Sequence, residues 1–545
     1  MKKIEEMTQE ELVAEVKNLR SRKKYGLVWE DKPEDVLVKC QTSLPVLVDV
    51  DKKSIYKNPD SSKTNLIIEG DNYHSLSVLN YTHQNKVDVI YADPPYNTGA
   101  KDWKYNNRFV DDNDTYRHSK WISMMEKRLL LAKKLLKPDG VLIITIDDYE
   151  VQNITKLLED LNAKNLGRVS ICIKPEGRRQ SKYIMQAHEY ALFVSWGNPV
   201  TRGLNVDFGL DFPEEDSVSK FRWEGLMRRD AGREDRGSDY WYPMYISPDG
   251  DIHFEKKKGL IELYPINTKG IERVWLWDKK RAAENVSELK AVVRNGKPTV
   301  YYKRRELGRV KPTSFWYGSK YNANAYGTRL LAKILPDTNF DFPKSLYSVI
   351  DCIDMFLPKD GLCLDYFAGS GTTGHAVLEL NKSDGGDRKF ILCTNNESKI
   401  AEEVTYPRIK AVINGYADQT GIPANLRYFK TDFVDKNKVS DDTRRELVER
   451  ATEMICVKED TFTKKYDNKK YKIYENSGYV SAILYDLDSI DDFKEKLEGL
   501  GKKASIYVFS LSNETFPSDF NDLSIKYKLT PIPESILEVY RKLFG

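Results

Sequence analysis

Cysteine is scarce and scattered. The 545 residues include six, Cys40, Cys172, Cys352, Cys363, Cys393 and Cys456. No two form a C-x-x-C pair, which argues against disulfide frameworks and zinc sites and leaves buried thiols. Long apolar runs are missing as well: nothing approaches the roughly 18 residues that a membrane span needs. The opening MKKIEEMTQEEL carries lysines with no apolar segment behind them, so it does not read as a secretory signal. These absences together point to the cytoplasm, with no membrane partner. Charge imbalance is absent too. With 86 Lys and Arg against 83 Asp and Glu, the net charge is +3, and the overall field does not announce nucleic acid. There is no internal repeat or low-complexity tract. What is present is 40% hydrophobic and 31% charged residues, the composition of a soluble chain with sizeable cores, long enough for roughly three or four domains.

The order of elements follows from periodicity. Thr8 and Glu11 have capping-box spacing, and Leu12, Val13, Val16 and Leu19 give an apolar stripe, so a short helix is expected within 1–60. From 61 to 200 an α/β pattern is read: NLIIEGD and VDVIYA as buried strands around the helical YHSLSVLNYTH, a helix over 116–136, the strand GVLIITID and a helix over 149–161. VSICIK and EYALFVSW then alternate like paired strands. Over 201–340 the periodicity weakens, yet five of the nine tryptophans fall there, which indicates a separate, β-rich insert. α/β order returns over 341–430, with the strand LCLDYF, a helix near 373–381 and the strand KFILCTNNE. A last small α/β segment fills 431–545.

Two stretches carry chemistry. YADPPYNTG (91–99) ends a strand in an acid, two prolines and a tyrosine. Proline lacks an amide hydrogen and holds the preceding residue extended. Asp93, Pro94, Pro95 and Tyr96 therefore make a stiff loop rich in acceptors, with a ring beside it. Such a loop suits a flat ligand bearing two hydrogens on one nitrogen, such as the amino group of a nucleobase, although a proline-terminated strand entering a surface turn reads the same way. In AGSGTTGHA, Gly369, Gly371 and Gly374 form a G-x-G-x-x-G between strand and helix, with Glu397 after the next strand placed to accept from ribose hydroxyls. A phosphate-binding loop would need Lys where His375 stands. A dinucleotide fits the glycines, but nothing nearby suggests hydride chemistry. S-adenosyl-L-methionine fits the glycines and also accounts for the amino-accepting loop. A third stretch, 291–320, interleaves Lys303, Arg304, Arg305, Arg309 and Lys311 with aromatics against the single acid Glu306. That mixture suits DNA or RNA, or a solvated basic hairpin.

DPPYNTG followed much later by DYFAGSGTTGHAV resembles the amino-methylating DNA methyltransferases, in the permuted β-class order. YGLVWEDKPEDV, LIIEGDNYHSLSVL, HSKWISMMEKRLLLAKKLLKPDGVLIITIDD and PIPESILEVYRKLF are similar to the modification (Mod) subunits of type III restriction–modification systems. The resemblance implies an α/β fold: a permuted, Rossmann-like S-adenosylmethionine-dependent methyltransferase, with 201–340 as inserted target recognition domain and small N- and C-terminal domains. It implies methylation of a flipped adenine in double-stranded DNA, Asp93 and the Pro94 carbonyl accepting the amino hydrogens and Tyr96 stacking on the base. For the cofactor it implies Phe367 against the adenine region, Gly369 and Gly371 near the methionine part, Asp365 and Thr372 beside them, Asp71 at the adenine and Lys344 at the carboxylate. Glu397 takes the ribose, with Asn395 and Asn396 as rivals, and Asp71 also reads as a helix cap. A homodimer and a restriction (Res) partner are implied, with 1–60 and 431–545 as candidate contacts.

Alternatives are a catalytically inactive DNA-binding adaptor of the same fold and a cytosine exocyclic-amino methyltransferase; Asp rather than Ser in first position favours adenine by resemblance. Cytosine ring-carbon methylation uses a Pro-Cys nucleophile, and no cysteine here follows a proline. HFE (253–255) lacks the P-C-x-x-C of zinc deaminases, and PDGDIHFEKK (248–257) is too tightly spaced for a nuclease core.

Overall fold

The computed structural model describes residues 8–9, 12–13, 29–58, 63–106, 108–111, 113–177, 183–205, 212–228, 232, 238–305, 308–338, 340–436 and 440–544. Most of the N-terminal helix expected from Glu11, Val16 and Leu19, and Glu306 in the basic stretch, lie outside these residues. The chain divides into two compact units, Gly203–Pro312 and the remainder.

The larger unit is built on one sheet. In chain order its strands are β1 (Ser43–Asp49), β2 (Asn65–Glu69), β3 (Val87–Ala92), β4 (Leu136–Ile146), β5 (Lys164–Cys172), β6 (His188–Ser195), β7 (Phe315–Trp316), β8 (Leu362–Asp365), β9 (Lys389–Thr394) and β10 (Asn425–Asp435). Across the sheet they run β1-β10-β2-β9-β8-β3-β4-β6-β5-β7, and Ile55–Tyr56 adds to β10. The central strands from β10 to β4 are mutually parallel. Parallel strands must bury both faces, and the sequences comply: Leu66, Ile67, Ile68, Val89, Ile90, Leu364, Ile391 and Leu392 are all fully buried. Each such side chain contributes about 1.5–3 kcal/mol relative to exposure.

Six helices matter for the site: α1 (Asn72–Thr82), α2 (Arg117–Leu135), α3 (Val151–Asp160), α4 (Leu346–Asp354), α5 (Thr372–Asp384) and α6 (Tyr406–Asn414). From β3 the chain passes through α2 to β4 on one side; from β8 it passes through α5 to β9 on the other. β3 and β8 are neighbours in register, Cys363 opposite Val89 and Leu364 opposite Ile90. Strand order thus reverses between them, and in open α/β sheets the crevice at the carboxyl ends of such a pair is where ligands bind.

Two boundaries differ from the sequence reading. Residues 313–340, expected in the insert, belong to the larger unit, because Phe315 and Trp316 pair with Ser170 and Ile171 and extend the sheet edge. Ser43–Asp49 and Ile55–Tyr56 are likewise part of the main sheet rather than outside it: β1 pairs antiparallel with β10 along its whole length, and Ile55–Tyr56 pairs with the start of β10.

The C-terminal segment forms a five-stranded sheet from Thr463 to Ile532, and its last helix, Glu534–Phe544, returns to the main core, where the Tyr540 hydroxyl donates to the Pro45 carbonyl at 2.5 Å. In the smaller unit, Lys220–Gly225, Lys297–Arg305 and Leu289–Arg294 make a sheet with Glu214–Glu215, and Trp275, Trp277, Tyr242 and Met244 share a buried cluster. All six cysteines are free and buried. Among the described residues no helix is long and apolar enough to cross a membrane.

Candidate active site

The loop after β3 is fixed from several sides. The buried Trp121 of α2 donates its indole N–H to the Pro95 carbonyl at 2.7 Å. Asn97 takes a left-handed φ of 57°, its amide donating to Glu150 at 2.5 Å and its carbonyl accepting from the Trp103 indole at 2.9 Å. On β4, Thr145 donates to Asp93 Oδ1 at 2.7 Å. Lys344 Nζ lies 2.9 Å from the same oxygen. Among the described residues no donor reaches Asp93 Oδ2 or the Pro94 carbonyl. The loop therefore presents one carboxylate oxygen and one adjacent carbonyl with unspent lone pairs, while their neighbours are committed to the scaffold.

Lys344 is more enclosed than a surface cation. Besides Asp93 it reaches Glu189 Oε2 at 3.1 Å and the Tyr96 hydroxyl at 2.5 Å, and it lies 4.4 Å from the Tyr96 ring centroid. Burial opposes its charge, but Asp93 and Glu189 outweigh that and hold it above the usual lysine range. The Tyr96 hydroxyl donates to Glu189 at 3.0 Å, and burial, then the two carboxylates, push its ionisation far up. The phenol stays neutral.

One strand over, Asp365 ends β8. It accepts from the Phe367 amide at 2.9 Å and the Thr373 hydroxyl at 2.6 Å. Burial raises its carboxyl to about 7, with the charge of Asp93 adding to the effect. The turn behind it needs its glycines. Gly369 and Gly371 have φ of 47° and 78°, where a side chain is strained. A Cβ on Gly371 would lie 3.3 Å from Thr405 Cγ2, and one on Gly374 only 2.8 Å from Ile409 Cδ1, so α5 packs tightly on α6. The Thr405 hydroxyl donates to the Gly369 carbonyl at 2.6 Å. Arg408, fully buried, donates to the hydroxyls of Ser370 at 3.0 Å and Thr372 at 2.8 Å. Burial lowers the pKa of Arg408 to about 10.

The remaining candidates have mixed positions. Asp71 caps α1, accepting from the Tyr73 amide at 2.7 Å, and lies 3.4 Å from Arg128. Glu397 is exposed beyond β9; Asn395 accepts from its amide at 3.4 Å and Asn396 from that of Glu402 at 3.3 Å. In the smaller unit, Lys303 pairs with Asp216 at 2.7 Å, Arg304 with Glu224 at 3.0 Å, and Arg305 with Asp216 and Glu288 at 2.8 and 2.6 Å. Arg309 donates to the Gly203 carbonyl at 2.7 Å. Lys311 is exposed. Sequence reading missed Glu189, Thr145, Trp121 and Arg408. Only Glu189 left a signal, a lone acid inside the apolar run EYALFV.

A loop with two free acceptors and a glycine turn thus stand at the carboxyl ends of two adjacent parallel strands. Residues 87–405 match the N6_N4_Mtase family model, described as "DNA methylase", and the chain belongs to that family: it is a DNA methyltransferase. It is 34% identical over 358 residues to the type II methyltransferase M.KpnI of Klebsiella pneumoniae, covering 64% of this chain and 85% of that one. It is 30% identical over 423 residues to the type III EcoPI Mod subunit of Escherichia phage P1, covering 69% and 64% of the two chains. With the StyLTI Mod subunit of Salmonella typhimurium it shares 29% over 412 residues, covering 68% and 59%. This chain spans about three-fifths of the length of those two Mod subunits.

Proposed function

We propose that the chain methylates the exocyclic amino group of adenine in double-stranded DNA, as the modification component of a type III-like restriction–modification system. The observation that carries this is the pair of uncommitted acceptors, Asp93 Oδ2 and the Pro94 carbonyl, on a rigid loop. An aromatic amino nitrogen delocalises its lone pair into the ring. Accepting its two hydrogens at Asp93 and Pro94 draws the nitrogen toward tetrahedral geometry and frees that lone pair. Tyr96 offers a face for the base, worth about 1–3 kcal/mol by comparison with other base-stacking platforms. Because the amino group is paired within the duplex, the base is flipped out.

The glycine turn suits S-adenosyl-L-methionine, because it lets backbone approach a ligand closely, and Asp71, Phe367 and Glu397 are the side chains we assign to hold it. Bound there, this cofactor supplies an electrophilic methyl group. Asp93 and Pro94 orient the nitrogen for a direct displacement, in which a nitrogen–carbon bond forms, a sulfur–carbon bond breaks and one amino proton is released. Catalysis then rests on position and electrostatics. The unit Gly203–Pro312 is the candidate reader of DNA sequence, the chain acts as a homodimer, and a Res subunit supplies cleavage.

The test is to incubate DNA with the chain and S-adenosyl-L-methionine and analyse the digested nucleosides. N6-methyladenine is expected. N4-methylcytosine would replace the adenine reading, and no modified base would favour the inactive adaptor. Light scattering with and without DNA tests the dimer; a fully active monomer would remove it.

A further inference from the structure

Glu189 has no role in either sequence motif, yet it lies at the centre of the site. It stands on β6 and is 1% exposed. One oxygen, Oε2, faces both Lys344 Nζ at 3.1 Å and the Tyr96 hydroxyl at 3.0 Å. The other, Oε1, is buried without a hydrogen-bond partner among the described residues. Burying an ion costs several kcal/mol even when it is paired, and an unsatisfied buried oxygen adds to that. An apolar residue would complete β6 at lower cost, so its charge calls for a functional reason.

Charge counting supplies one. Asp93, Glu189 and Lys344 form a triad with a formal charge of one negative, Glu189 buried and the other two half-buried. Without Glu189, the Lys344 ammonium would cancel Asp93, and the target nitrogen would face a neutral pair. That nitrogen becomes positive as its bond to the methyl carbon forms and stays so until its proton leaves. A fixed negative charge in a site of low dielectric favours that change. The bond to Tyr96 adds a second effect, fixing the hydroxyl end of the phenol and so the direction in which the side chain points.

We propose that Glu189 is a positioning residue for methyl transfer, sharing Lys344 with Asp93 and holding the Tyr96 hydroxyl, so that one cation does not cancel both carboxylates and the target amino group meets a net negative charge. This rests on methyl transfer at Asp93. In single-turnover assays at saturating S-adenosyl-L-methionine, Glu189→Gln should slow transfer about 10–100-fold, with KM for DNA and cofactor affinity within about threefold of the parent. Adding Lys344→Met removes the cancelling cation, and the double variant should be faster than Glu189→Gln alone, a recovery that a purely structural role would not give. Full rate in Glu189→Gln, or a double variant no faster than it, overturns the proposal. If Glu189→Gln does not fold, Lys344→Met is compared with the double variant; Lys344→Met, which keeps both carboxylates, must then be the faster of the two, and the reverse order overturns it. An Asp93→Ala enzyme that still methylates would defeat the underlying reading instead, whatever Glu189 does.

Discussion

Strands β3 and β8 lie side by side, and their ends are shaped by opposite means. After β3, two prolines lock the backbone and remove donors, leaving a loop of acceptors. After β8, glycines at left-handed φ remove side chains, leaving a turn that backbone can approach. Each end also carries a carboxylate, Asp93 or Asp365. Asp93 lies 2.9 Å from a cation, whereas Asp365 is buried with only hydroxyl and amide donors, and its carboxyl rises to about 7. Neighbouring acids thus take different jobs because one has Lys344 and the other has none.

The sharpest way to break this contrast is Asp93→Ala, expected to reduce methyl incorporation by about three orders of magnitude or more while calorimetry shows cofactor binding intact. Activity within tenfold of the parent would remove Asp93 from the mechanism. Gly371→Asp attacks the other end. A side chain and a charge at φ 78°, with Cβ 3.3 Å from Thr405, should weaken cofactor affinity by about 100-fold, and normal affinity in a folded variant would mean that the turn serves something else.

The difference between the two acids also shows in pH dependence. A carboxyl near 7 when folded and about 3.9 when unfolded makes the folded state bind more protons between those values. Its stabilising effect is complete below about 4 and is lost as pH rises through 7. Thermal midpoints of the unliganded chain should therefore fall between pH 5 and 8 by a few degrees more than those of Asp365→Asn; equal slopes would contradict the assignment. The smallest effect concerns the basic stretch. Lys311→Ala should lower the salt dependence of DNA binding by about one phosphate contact, and Lys303→Ala, whose cation is already paired with Asp216, by less. The reverse ranking would show that the ion pairs open on DNA.

The parallel strands, their helices and both motifs were legible because apolar run length and Pro or Gly punctuation are local signals. What was not legible depended on distant partners. The basic stretch looked uncompensated because its acids, Asp216, Glu224 and Glu288, come from elsewhere in the unit. Phe315 and Trp316 extend the sheet by a strand of two residues, too short to show a period, so the insert boundary was set too late. Thr145 and Trp121 read as ordinary core positions, since a strand threonine and a helix tryptophan carry no mark of the atom they bond.

The Leu362 amide donates to Asp88 at 2.8 Å across 274 residues of chain, and that bond ties β8 to β3. During synthesis at about 5–20 residues per second, β3 waits roughly 15–55 s for this neighbour to emerge. Until then the proline loop has no glycine turn beside it. A ribosome that stalls or a message cut short anywhere in that interval releases a chain with half a crevice, unable to mark DNA. Permuting the strand order thus confines methylation to chains that extend past the glycine turn.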